Sequence, residues 1–425
     1  MPDNVLNRAV APQQQAFVGF TIRQPEQHLL ADVPVFVLEA GMQEVLRIDL
    51  VFAAGAWHEA QPLVGGLTNR MLQEGSRARS GAAIAEFFDF HGAYLSYEAT
   101  ADRSGVSLYC LSHHVTQLLP TFFELVFEPA FPAHELATTV RNQKQQLSVE
   151  LGKVSFLARR AFAEALFGTE HPYGRQSNEA RYDALQPSWL EQFHAQQYTR
   201  QRFSVSVSGR GASSLLPQLA QLLEKVPAGE AAAEPVYPAN SRLGQVHVAK
   251  PDALQHALRI GRRCIDKRHP DYHGLKVLNT LLGGYFGSRL MSNLREDKGF
   301  TYGVGSAVLS YERDAVWTIA TEVGADVSAA ALTEIYEEME RLRREPVGHE
   351  ELELVRQYLQ GVYMSSFDGA FALADRFRDV YHFGLDSSYY TQYLHTVQHI
   401  TPEQLQALAQ QYLNPADFVT IVAGG

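Results

Sequence analysis

Cysteine is scarce in this 425-residue chain, which holds only Cys110 and Cys264. That excludes a disulfide framework, leaves room for one bridge, and puts neither thiol in a Cys-x-x-Cys pair or a Cys/His cluster. Two inert thiols are the plain reading. Basic residues are also short: 36 Lys and Arg stand against 47 Asp and Glu, a net charge of −11. Nucleic-acid binding draws its affinity from cations that neutralise phosphates, so this balance argues against it. No apolar run approaches the ~20 residues of a membrane span. The opening MPDNVLNRAVAPQQQAF lacks the basic start and apolar stretch of a secretory signal. A cytoplasmic protein with no membrane partner is the expectation. Three motifs are missing too. Gly303-Val304-Gly305-Ser306 lacks the spacing of a G-x-S-x-G nucleophile elbow. No G-x-x-x-x-G-K-[ST] phosphate loop occurs, and Gly283-Gly284 with Gly287 lacks the spacing of a dinucleotide fingerprint.

What the chain does contain is a duplication. His134-Glu135 and Val140-Arg141 recur as His349-Glu350 and Val355-Arg356. Ala195-Gln196-Gln197-Tyr198 recurs as Ala409-Gln410-Gln411-Tyr412, at almost the same offset. Each AQQY precedes an apolar segment that closes on glycine, FSVSVSG or FVTIVAG. Several matches in one order, at nearly one spacing, indicate two copies of a domain of roughly 200 residues. The expected organisation is an N-terminal extension over 1–19, a first domain over 20–226, a linker over 227–241 and a second domain over 242–425. The linker reads as an exposed Pro/Ala/Glu-rich connector.

Within each copy the hydrophobic period switches. Val45–Phe52 and Gln255–Gly261 alternate like half-buried strands, as do Val106–Leu111 and Val316–Val323. Helical stretches are expected over 135–167 and its counterpart 350–381. Pro187 and Pro402 fit the starts of further helices, where a missing N–H costs little. The order implies an α+β fold of two homologous domains, each a largely antiparallel sheet with helices packed on one face.

Candidate chemistry is sparse. His395 and His399 have i, i+4 spacing, but Gln398 stands where a general base would be, so a surface or packing role is favoured. His113 and His114 are adjacent in a strand-like segment and would face opposite sides. His91 and His171 read as turn residues. Arg295 and Tyr302 lie in LREDKGFTYGVGS. Met291 to Lys298 reads as a helix end, Gly299 as its left-handed terminator, and Phe300 onwards as a strand. A guanidinium and a phenol there could both donate to a peptide carbonyl; spacing alone favours a surface Arg and a half-buried Tyr. Gly283, Gly284 and Gly287 fit either a turn or a mobile loop that lets a peptide approach closely.

The segment GGYFGSRLMSNLREDKGFTYGVGS resembles the second domain of the insulinase/pitrilysin peptidases, which include the mitochondrial processing peptidases. GAWHEAQPLVGGLTNRMLQEGS, His171 to Arg175 and the terminal AQQY…VAG are also similar to that family, in order, and the likeness runs from about residue 20. It implies two homologous α/β domains. Active members carry H-x-x-E-H in the first domain. Anchored on Met71-Leu72-Gln73-Glu74-Gly75-Ser76, that motif falls on Gly66, Asn69 and Arg70. Both zinc ligands and the base are then absent. Glu150 would match the distal zinc glutamate, and one carboxylate cannot hold catalytic zinc, so no metal or cofactor is expected on this chain.

In two-component members one subunit supplies H-x-x-E-H and the other the Arg/Tyr motif. The resemblance implies that this chain is the second kind. Zinc would reside in a homologous H-x-x-E-H partner, the substrate would be an unfolded peptide, and Arg295 and Tyr302 would hold its backbone and carbonyl. Gly283, Gly284 and Gly287 would sit near the same chamber. The chain's acidity would mildly favour basic or neutral peptides. The alternative is an assembly subunit of the same fold with no proteolytic role, and a stand-alone peptidase would need some other metal site.

Overall fold

The computed structural model describes residues 21–229 and 234–425. The extension predicted over 1–19 and positions 230–233 of the linker lie outside the described residues. Strands β1 (Glu26–Leu30), β2 (Val33–Glu39), β3 (Val45–Phe52), β4 (Tyr94–Ala99), β5 (Ser104–Leu111) and β6 (Phe203–Gly209) form one sheet in the order β1-β2-β6-β3-β5-β4. Strands β7 (Gly244–Ala249), β8 (Gln255–Arg263), β9 (Val304–Ser310), β10 (Ala315–Gly324) and β11 (Val419–Gly424) form a second in the order β7-β11-β8-β10-β9. Setting β1 aside, the two orders match strand for strand. In each, the last strand of the half lies parallel to the first (β2 with β6, β7 with β11) while the other pairs are antiparallel. The extra strand β1 turns into β2 through Ala31 and Asp32, both at positive φ, as a two-residue hairpin with the twist of its strands requires.

The two expected long helices are each broken. Ala133–Leu151 ends at Gly152, and a second helix runs Val154–Phe167; likewise His349–Ser365 is followed by Gly369–Tyr381. The break has a purpose. Val154–Phe167 leaves its own half and lies on the second sheet, where Ala158, Phe162 and Ala165 bury against Ala257, Val419 and Ile421. Gly261 makes room for it: a Cβ there would sit 2.6 Å from the Phe162 ring. Gly369–Tyr381, its counterpart in the second copy, crosses the other way onto the first sheet. There Phe377 and Tyr381 pack at 4.7 and 4.5 Å on Phe36.

Each sheet is therefore covered on both faces, not on one as the sequence suggested. One face carries the half's own helices, with Ile48, Leu50, Leu118 and Phe122 fully buried in the first half, each worth roughly 1.5–3 kcal/mol. The other face carries the helix lent by the other half. Strand β3 consequently has Arg47 and Asp49 at only 4% and 1% exposure, although its alternation reads as a half-buried strand. Their face is the seam between halves. Arg47 Nε donates to Asp49 at 3.0 Å and Arg47 Nη2 to Asp375 at 2.6 Å. Arg378 reaches Asp49 at 3.3 Å and Asp375 at 2.6 Å, and Ser107 donates to Asp49 at 2.6 Å. Two guanidiniums and two carboxylates thus neutralise one another, with Arg47 and Asp49 out of water and Asp375 and Arg378 half-buried at the edge of the seam. The linker is exposed as expected but tethered. Trp57 donates to the Pro235 carbonyl at 3.0 Å, and Arg242 N to that of Ala165 at 2.7 Å. Cys110 and Cys264 are both free, and burial pushes each thiol up to about 12, which keeps them protonated.

Removing one member of a buried ionic cluster strands its partners, so Arg47→Met is expected to cost about 3–5 kcal/mol in urea unfolding at pH 7. Burial alone would raise the Asp375 carboxyl, but the hydrogen bond and charge of Arg47, with Arg378, hold it below the usual range. A depressed folded value gives stability that is present above about pH 4 and is lost as pH falls through that value. The gap between wild type and variant should accordingly narrow below about pH 4 in the same assay.

Candidate functional site

The first-half cleft is built on the short helix Val64–Met71. Its N-terminus is held by Glu59, whose carboxylate accepts from Leu63 N at 3.1 Å and Gly65 N at 2.8 Å. Gly66 and Arg70 lie one turn apart on its exposed side, facing a cavity of about 970 Å³ shared with Tyr94, Tyr97 and Gln143. Asn69 also borders it but is 1% exposed. Its amide donates to the Glu98 carbonyl at 2.9 Å and the Gly105 carbonyl at 3.2 Å, and its oxygen accepts from the Tyr198 hydroxyl at 3.2 Å. Asn69 is a pin. It fastens the helix to the β4–β5 hairpin and to the tyrosine of the first AQQY.

Zinc does not fit these residues. Gly66 offers no donor, both ends of the Asn69 amide are engaged, and Arg70 brings a positive charge to the spot. Among the described residues, no group of three or more His, Cys, Asp or Glu could hold a metal ion. Glu150, expected near the cleft, turns instead to Lys153 at 2.6 Å and is not part of the lining. The residue of that helix which does border the cavity is Gln143, about two turns earlier. The two share a helical face, so what separates them is about 10 Å along the helix axis rather than residue type or phase. Arg70, Arg175 and Arg181 line the cleft against one carboxylate, Glu59. The site is locally positive, contrary to what the chain's net acidity suggested.

The second candidate lies in the other half. Arg295 sits in the wide helical turn Met291–Asp297, and Gly299 ends it at φ +63°, as the sequence implied. The following strand starts at Val304, later than expected, so Tyr302 lies in a loop. That loop is pinned: Thr301 Oγ1 donates to the Glu322 carbonyl at 2.7 Å, and Thr321 Oγ1 donates to the Gly303 carbonyl at 2.9 Å. Tyr302 is nonetheless 91% exposed. Arg295 and Tyr302 border one hollow of about 400 Å³ with Gln255 and Thr301. The Arg295 guanidinium lies 4.7 Å over the Phe286 ring and pairs with no carboxylate among the described residues. The two candidate groups do not share a cavity.

Gly283, Gly284 and Gly287 do not line the Arg295/Tyr302 hollow. Gly283 is buried, and a Cβ there would come within 2.8 Å of Ser306 in β9. Its close approach is to the chain's own strand, not to a ligand. The histidines are structural. His171 stacks on Phe167 and accepts from Tyr173 N at 3.1 Å, and His91 donates to the Phe87 carbonyl at 2.8 Å. His113 and His114 lie with tilted rings 4.1 Å apart in a turn, not a strand, and His395 stacks on His399 at 4.3 Å on an exposed helix face.

Comparison with known proteins adds the lineage. Residues 185–359 match the peptidase M16 inactive domain. An uncharacterized zinc protease of Bacillus subtilis, YmxG, is 24% identical over 76% of this chain and 79% of its own. A crystal structure of a peptidase M16 inactive domain from Pseudomonas fluorescens superposes with a TM-score of 0.85 at 26% identity, covering 94% of this chain and 98% of that one. The chain thus contains a peptidase M16 inactive-type domain. An M16 relative in Solanum tuberosum, the mitochondrial-processing peptidase subunit alpha, is 25% identical over 44% of this chain and 38% of its own. The helix Val64–Met71, on which the sequence resemblance placed a zinc motif, is held in the fold by the hydrogen bonds of Asn69.

If Gln143 rather than Glu150 faces the former metal position, restoring the ligands has a defined requirement. Gly66→His with Arg70→His and Gln143→Glu should bind zinc at least tenfold tighter than the two histidine changes with Gln143 retained, measured by calorimetric titration.

Proposed function

We propose that this chain is the non-zinc subunit of a two-component M16 metallopeptidase, contributing Arg295 and Tyr302 to peptide hydrolysis by a homologous partner that carries H-x-x-E-H. The observation that carries the reading is Tyr302. A phenol 91% exposed on a loop that is itself pinned does no packing work. Beside it stands Arg295, a guanidinium with no carboxylate partner among the described residues. Meanwhile the chain's own cleft has lost every zinc-binding side chain. The family match to an inactive domain, and a relative named as one subunit of a processing peptidase, support the same division of labour.

In this reading zinc belongs to the partner, where it would polarise the scissile carbonyl and activate water. Arg295 anchors peptide backbone by paired N–H donors. Tyr302 donates its O–H to the carbonyl oxygen as negative charge builds there. A donor held in place beforehand needs no reorganisation during reaction, which is why one such bond is worth about 3 kcal/mol. An extended peptide could pair with the free edge at β4 in the first sheet or at β9 in the second. The arginines around the first-half cleft favour acidic segments of that peptide.

The chain mixed with its zinc-motif partner should cleave an unfolded peptide, and neither alone should. Tyr302→Phe should lower kcat/KM of the mixture by about 100-fold without changing the mass of the complex. An unchanged kcat/KM would leave the chain as an assembly subunit with no part in the chemistry.

A further inference from the structure

A second large cavity, about 980 Å³, lies between the two halves and is lined from both. It does not include Arg295 or Tyr302 and is not part of the former zinc cleft. Most of its charges cancel. Arg47 and Arg378 pair with Asp375, Arg103 with Glu312, and Lys267 with Asp379. Lys276 and Arg376 do not: neither side chain makes a hydrogen bond or ion pair with any described residue. Burial, the charge of Lys267 and that of Arg376 all press the Lys276 ammonium towards losing its proton, with only Asp379 opposing them. Glu98, an exposed carboxylate at the rim without an ion pair, is not among the charges acting on Lys276. Two half-buried like charges on one cavity wall, neither with a direct ion pair, cost stability.

The neutral groups around them are donors as well. The hydroxyls of Tyr389 and Tyr393 face the same cavity and bond to no described residue. His382 Nε2 is buried there without a partner among the described residues. A site made of ammonium, guanidinium and phenol donors, walled by tyrosine rings, lacks one thing, an acceptor carrying negative charge. We propose that the cavity between the halves is a binding site for a small oxyanion ligand, of the phosphate or carboxylate class, gripped by Lys276 and Arg376. Because the walls come from both halves, the bound anion would also tie the halves together across the seam.

The test uses the full chain, titrated calorimetrically with inorganic phosphate in one arm and citrate in the other, at ionic strength held constant with sodium chloride. One anion or the other should bind with one-to-one stoichiometry and raise the melting temperature, and the arm that responds identifies the class. Lys276→Met should weaken that binding at least tenfold while the ligand-free protein melts no lower than wild type, since an unpaired cation has been removed. Lys276→Arg should retain binding. Arg344→Met, the same charge change on an exposed helix of the second half, should leave binding as in wild type. No heat from either anion, equal binding by Lys276→Met, or equal loss with Arg344→Met would overturn the proposal.

Discussion

Each half of this protein has a sheet with two faces to keep from water and helices enough to cover one. The exchange of helices between halves solves that shortage and sets most of the remaining structure. Val154–Phe167 and Gly369–Tyr381 stand at the same place in the two copies, and each buries its apolar side on the sheet of the other. Neither half can leave without exposing a sheet face and a helix face to water, at roughly 25 cal/mol for each Å² of apolar surface. The two halves are therefore one cooperative body rather than beads on a linker. The ionic cluster of Arg47, Asp49, Asp375 and Arg378 sits within this seam. It contributes less to net stability than it costs to break, so its role is to fix which helix docks on β3 and in what register.

The functional features follow from where that exchange places things. The helices that leave their own halves draw Thr100 and Arg103 of the first half and Tyr389 and Tyr393 of the second around a common interior, which is how the cavity between halves arises. At the same time each sheet keeps an open edge near a candidate site, β4 beside the former zinc helix and β9 just beyond Tyr302. The helix Val64–Met71 is fixed by Asn69, whose amide makes two hydrogen bonds to the β4–β5 hairpin and accepts a third from Tyr198.

Much of the fold could be read in advance. Val45–Phe52 was bounded to the residue, because strict alternation between polar turns leaves little choice. The duplication, together with Pro187 and Pro402 at helix starts, gave the shared topology. The helix breaks at Gly152 and Ser366 could not be seen, because each helix on either side of the break is regular in itself. The candidate site was legible in part: Gly299 ends the turn that carries Arg295, as its residue type predicts. It was misread where position decides. Glu150 lies two turns beyond the helix residue that borders the cleft, and Gly283 is a close-approach glycine whose neighbour is Ser306.

By itself the sequence determined that the chain is built twice over from one α+β unit and that its two thiols form no disulfide. These follow from period, composition and functional groups, which are local properties. Tertiary structure alone decided that the polar side of β3 is interior, that Tyr302 stands in solvent, and that Lys276 and Arg376 line one cavity without a direct ion pair. Burial and charge pairing depend on which distant segments arrive at the same place. Here that is settled by two equivalent helices, one from each copy, crossing between the halves.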